Sequence, residues 1–94
     1  MGATVVLVGL GHLGGPLLDQ LAGSALVGRV VALSRSSDQG EARCNLSRLS
    51  ALARGSVSNI EHRTIDVANP GQLAAVIGEV SPDLVINAAS MQTW

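Results

Sequence analysis

Four short runs along the chain are continuously apolar or alternate with a period of two, and each of the first three is followed by a segment whose apolar residues recur every three or four positions. The runs TVVLVG, RVVALS, IEHRTID and DLVINAA predict strands. A first helix is expected from about Leu13 to Ala22, with Leu17, Leu18 and Leu21 as its apolar stripe and Gly23 at its end. Pro16 is compatible with a first helical turn, where an amide has no carbonyl to bond. A second helix is expected to begin at Asp38, whose carboxylate caps it while Glu41 reaches back. Ala42, Leu46, Leu49 and Ala53 recur as its apolar face, and Gly55 marks its end. In NPGQ, Asn69 is placed to cap a third helix, Pro70 occupies its first position and Gln72 stands in the reciprocal capping place. Leu73, Val76, Ile77 and Val80 supply that helix with one apolar face. SPD then turns the chain into the last strand.

The predicted order is βαβαβαβ with short connections, which favours a parallel sheet wound by right-handed crossovers. VVLV and LVI are continuously apolar, as strands covered on both faces must be, whereas EHRT carries charge and fits an edge. The fold class expected is α/β: a Rossmann-like parallel sheet with strand order 3-2-1-4, the N-terminal part of a larger doubly wound domain. A fifth and sixth strand normally follow in such sheets. The outer side of the fourth strand is therefore expected to be completed by further sequence or by a second chain, as in a homodimer.

Composition narrows the function without naming it. The chain has 94 residues, one domain's worth, and 47% of them are hydrophobic, but Trp94 is the single aromatic residue, so the core must be built from Val, Leu, Ile and Ala. A formal net charge of -1 with no charged run argues against a nucleic-acid or membrane-surface partner. No apolar stretch approaches the roughly 18 to 20 residues of a membrane span, and a signal peptide's basic start is missing, so a cytoplasmic location is expected. Cys44 stands alone and has no ligand-spaced Cys or His, so neither a disulfide nor a metal site is expected.

The chemistry lies in VGLGHLGGP. Gly9, Gly11 and Gly14 have the spacing G-x-G-x-x-G directly after a strand and at the opening of a helix. In that context Gly9 permits the tight turn, Gly11 lets the backbone approach a pyrophosphate, and Gly14 lets the helix pack close to the sheet. Amides at the helix start, including those of His12 and Leu13, then face the anion. His12 occupies a variable position of the pattern, where only its backbone amide is required; Gly15 is not explained by the pattern. Sites built for NAD place an acid at the end of the second strand, about 20 residues after the glycines. Here that place holds LSRSS. Ser34 replaces the acid, Arg35 follows, and Ser36 and Ser37 add hydroxyls, which together favour the 2′-phosphate of NADP over NAD. Asp66 and Val67 end the third strand, where the carboxylate can accept from the adenine amino group and Val67 can pack on the ring, or where Asp66 can serve only as a loop cap. Asn87, Ala88 and Ala89 end the fourth, with small side chains beside a passing cofactor and an Asn87 amide that can bond a ribose or stabilise the turn. His62 is expected to be a half-exposed strand residue.

Taken in order, VLVGLGHLGGPLLDQLA, VVALSRS, TIDVANPGQLAAVI and PDLVINAAS resemble the N-terminal cofactor domain of the saccharopine dehydrogenase-like family over nearly the whole chain. Gly9, Gly11, Gly14, Arg35, Asp66, Val67 and Asn87 carry the resemblance. It implies the NADP-binding part of an oxidoreductase that transfers hydride at a carbon-nitrogen bond, as of an imine or amino acid, with substrate residues supplied by a second domain beyond residues 1–94. A similar pattern occurs in atypical short-chain dehydrogenases, whose catalytic pair is Tyr and Lys; this chain contains neither. No catalytic residue is expected within it, and the isolated chain is expected to be inactive. The rival expectation is a stand-alone nucleotide-sensing or assembly module that pairs through the fourth strand, and a third is a relic that keeps a phosphate site without a function.

Overall fold

The structure is a computed structural model that describes residues 2–10, 14–55, 59–66 and 69–88. Its elements are β1 (Ala3–Val8), α1 (Gly14–Ala22), β2 (Val27–Ser34), α2 (Ser37–Ala53), β3 (Asn59–Thr64), α3 (Pro70–Val80) and β4 (Leu84–Asn87). The four strands form one parallel sheet in the order β3-β2-β1-β4, as the apolar patterning predicts. Side chains that alternate along β1 and β2 divide the core into two layers. Leu7, Val30 and Ala32 meet Leu18 of α1 and Cys44 of α2 on one face. Val6, Val8, Val31 and Leu33 meet Val76 and Val80 of α3 on the other. The central strands are thus covered on both sides, which is why their sequences are apolar without interruption.

The two sheet edges differ in chemistry. Along β3, Glu61 bonds Arg29 of β2 at 3.0 Å and also pairs with Arg63, which reaches Glu79 of α3. The Arg63 and Arg29 guanidiniums hold the Glu61 carboxyl below the usual carboxylate range. On β4 the LVI run departs from the expected cover on both faces: Leu84 and Val85 are exposed, because the strand lies at the edge of the described sheet. That short strand is fixed at its start by a reciprocal pair: the Thr4 N–H donates to the Asp83 carboxylate and the Asp83 N–H donates to the Thr4 carbonyl, both at 2.8 Å.

The helices agree with expectation in position and depart from it in two details. In α3, Asn69 Oδ1 accepts from the amides of Gly71 and Gln72, and Pro70 opens the helix, as predicted. Gln72 does not complete the reciprocal cap. The Asn69 amide already donates to the Asp66 carbonyl at 2.9 Å, which leaves the Gln72 side chain to accept from the Asp66 amide at 2.8 Å. The larger correction concerns α2. It starts at Ser37 after an N-cap at Ser36 whose side chain makes no capping bond, so Asp38 lies in the first turn instead of capping it. Its buried face consists of Gly40, Cys44, Ser47 and Ala51, while Ala42, Leu46, Leu49 and Ala53, the expected apolar face, point outward. Small residues win because they let the helix sit close to the sheet, where Leu side chains would hold it away. Gly55 ends α2 with a φ of 78°, the left-handed conformation expected of a residue just past a helix.

Candidate functional site

The carboxyl ends of all four strands form one rim. Register places Arg63, Leu33, Val8 and Asn87 side by side, and the next bonds continue the line: Gly9 N–H to the Leu33 carbonyl at 2.7 Å, Ile65 N–H to Ser34 at 2.9 Å, and Ala88 N–H to Val8 at 2.8 Å. Gly9, Ser34, Arg35, Asp66, Asn87 and Ala88 therefore meet at the same end of the sheet, although up to 79 positions of sequence separate them. Gly11, His12, Leu13, Val67 and Ala89 lie outside the described residues.

Gly9 leaves β1 with a φ of 91°, which a residue with a side chain rarely adopts. A Cβ on Gly14 would overlap the Gly9 carbonyl oxygen, so the start of α1 could not come this close to the strand end with any larger residue. The two positions fit the backbone parts that the glycine spacing assigns to them: a sharp exit from the strand and a close approach of the helix to the sheet. Gly15, unexplained by spacing, lies under the Arg43 guanidinium of α2.

Beyond the end of β2 an open cavity of about 430 Å3 is lined by Arg35, Thr64, Ile65, Asp66 and Gln72. Arg35 is exposed and pairs with no acid among the described residues, while half-buried Ile65 provides the apolar part of the wall. A cation and a carboxylate on the walls of one cavity suit a ligand that carries both an anionic group and a hydrogen-bond donor. Thr64, Ile65 and Gln72 are walls that the sequence did not single out for the site. Gln72 enters because its side chain turns toward Asp66, a consequence of Asn69 being satisfied elsewhere.

Ser34 and Ser36 take part in a different arrangement from the one expected. Ser34 Oγ donates to the Ser36 carbonyl at 3.0 Å and lies 2.6 Å from His62 Nε2. Its hydroxyl is thus turned into the turn between β2 and α2. Burial pushes the His62 imidazole below its ordinary value, and the nearby Glu41 carboxylate opposes the shift. His62 is half-buried, as expected, but it faces α2 and not solvent alone. Cys44 is buried, and burial, with Glu41 as the smaller cause, pushes its thiol up to about 11, which suits a packing role. Among the described residues no three His, Cys, Asp or Glu side chains are grouped to hold a metal, and no helix is long and apolar enough to cross a membrane.

Residues 5–92 match the family model described as saccharopine dehydrogenase NADP binding domain. Among solved structures the chain is similar to apo histidine-tagged saccharopine dehydrogenase (L-Glu forming) from Saccharomyces cerevisiae, with a TM-score of 0.67 and 25% identity. That match covers 93% of this chain and 16% of the yeast one. It is also similar to protein Rv1636 from Mycobacterium tuberculosis H37Rv, with a TM-score of 0.62 over 90% of this chain and 69% of that chain; at 18% identity the likeness is one of fold. No curated protein sequence matches.

Proposed function

Because the chain belongs to the saccharopine dehydrogenase NADP binding domain family, we propose that it binds NADP across this rim, with Arg35 on the 2′-phosphate, and serves as the cofactor part of an oxidoreductase. The observation that carries the proposal is the cavity at the end of β2, where Arg35 faces Asp66 and Ile65 and no acid occupies position 34. The cradle fits the group. Gly9 turns the chain sharply out of β1 and Gly14 lets the start of α1 close on the Gly9 carbonyl, where a Cβ would overlap it, and the guanidinium supplies a fixed charge for the 2′-phosphate. Asp66 accepts from the adenine amino group, Ile65 packs against the base, and Asn87 and Ala88 flank the ribose nearer the nicotinamide.

When bound, the nicotinamide supplies a hydride to, or takes one from, a carbon-nitrogen bond of an imine or amino acid substrate. This chain's part is to hold and orient: its residues fix the adenine half, and the substrate-binding residues belong to a further domain. Residues 1–94 form the N-terminal part of the cofactor-binding domain, and this chain by itself is expected to turn over no substrate.

Calorimetric titration with NADPH and NADH tests the reading. NADPH is expected to bind at least about tenfold more tightly, equivalent to roughly 1.4 kcal/mol from the 2′-phosphate, and Arg35→Ala is expected to remove that difference. Equal affinity of the unaltered chain for both cofactors would refute the assignment of the cavity.

A further inference from the structure

The turn that presents Arg35 is held from a strand that makes no part of the glycine loop. Ser34 and Ser36 stand on either side of Arg35, and they are joined directly by the bond from Ser34 Oγ to the Ser36 carbonyl. That carbonyl also accepts the Gly40 amide at 3.1 Å, the first backbone bond of α2. A serine hydroxyl carries one proton, and here the Ser36 carbonyl takes it. We assign the ring the Nε2–H tautomer, whose proton then serves the contact of 2.6 Å between Ser34 Oγ and His62 Nε2. The bonds run in one direction: His62 Nε2–H to Ser34 Oγ, and Ser34 Oγ–H to the Ser36 carbonyl.

Space for the ring comes from α2. Gly40 is buried in its first turn, and a Cβ there would overlap the His62 imidazole. His62 lies beside Ala32 in the register of β2 and β3, so its ring rises from the sheet between a small neighbour and a glycine. The floor of this arrangement is β3, the helix start is its roof, and Arg35 is carried at the open end.

We propose that His62 is a positioning residue for recognition of the 2′-phosphate: through Ser34 it locks the turn between β2 and α2 so that the Arg35 guanidinium is held in the cavity. The inference rests on the reading of that cavity as the 2′-phosphate site. Ser34 thereby acts on the cofactor through the backbone of its neighbours, and the absence of an acid at this position has two effects. It removes a repulsive charge, and it puts in its place a hydroxyl short enough to bridge His62 and Ser36.

The test is calorimetry of the whole chain with 2′,5′-ADP and 5′-ADP, which isolates the contribution of one phosphate. His62→Leu keeps the volume and removes the donor. The ratio of the two affinities is expected to fall about tenfold, the scale of a misplaced charge-assisted hydrogen bond, with 5′-ADP binding almost unchanged. His62→Gln, whose side-chain amide can donate from nearly the same place, is expected to retain the ratio within about twofold on that hydrogen-bond argument. Gly40→Ala displaces the ring without altering it and raises helix propensity by about 1 kcal/mol, so it is expected to fold and to lower the ratio as His62→Leu does. Loss of affinity for both nucleotides alike, or an unchanged ratio in His62→Leu and Gly40→Ala, would overturn the positioning role. Arg35→Ala separates the two readings. If it abolishes the preference while His62→Leu does not, the cavity stands and the clamp falls; if the unaltered chain shows no preference, both fall.

Discussion

The outward face of α2 gives the most direct test of how this domain is packed. Leu46 is 64% and Leu49 63% exposed, so each retains only about a third of the burial available to it. Full burial of a Leu side chain is worth about 1.5 to 3 kcal/mol, so replacing both with Gln should cost roughly 1 to 2 kcal/mol together. Gln has nearly the helix propensity of Leu, which keeps the backbone contribution small. Had the stripe faced the core, each truncation would cost about 2 to 5 kcal/mol. The pair would then consume most or all of the roughly 5 to 14 kcal/mol expected for a domain of this length. Leu18, with 0% exposure, is the control, and Leu18→Ala should cost about 2 to 5 kcal/mol. Urea titration followed by circular dichroism reads both, with the midpoint shifting at constant slope. Measurement at two protein concentrations separates intrinsic stability from any association through the stripe. A loss above about 3 kcal/mol for Leu46→Gln with Leu49→Gln, at either concentration, would refute this orientation of α2.

Two further outcomes follow from packing and charge. Gly14→Ala places a methyl group on the Gly9 carbonyl and must displace the start of α1, so nucleotide affinity should fall by about tenfold or more, read by the same calorimetry, with a change below about twofold counting against the close-approach role. Cys44 has its thiol raised from 9.0 to about 11, so the unfolded chain releases its proton first as pH climbs and the native state loses stability between those values. Denaturant titrations from pH 8 to 11 should show a decline of about 2 kcal/mol that Cys44→Ala abolishes, and an identical decline in that variant would assign it to another group.

Sequence periodicity succeeded where one layer of side chains decides the structure and failed where two stripes compete. The uninterrupted VVLV run and the charged EHRT run place β1 inside the sheet and β3 at an edge, because burial on two faces tolerates no charge; the equally apolar LVI run lies at the other edge with Leu84 and Val85 exposed, so apolarity alone did not tell a covered strand from an uncovered one. In α2, Gly40, Cys44, Ser47 and Ala51 have the same 4-3-4 spacing as Ala42, Leu46, Leu49 and Ala53. Hydrophobicity favours the second set; the distance between helix and sheet favours the first, and that distance is a tertiary quantity. The site shows the same division. The glycines, Arg35 and Asp66 are recognisable because they follow strand ends, whereas the bond between Ser34 and His62 joins residues 28 positions apart and has no local signature. Gln72 was visible only as half of a cap, since its turn toward Asp66 depends on which carbonyl Asn69 finds first.

The reciprocal bonds between Thr4 and Asp83 act as a gauge as well as an attachment. β4 has four residues, too few for its own ladder to resist sliding by one position, and a slide of one would turn every side chain to the opposite face. By pinning Asp83 to Thr4, the sheet measures off the strand from its lower end and delivers Asn87 beside Val8 at the rim, about 13 Å away by the rise of an extended chain. The alignment of Asn87 in the proposed nucleotide site is therefore set by a carboxylate at the far end of the sheet, and an exchange at position 83 would be felt as a misplacement at position 87.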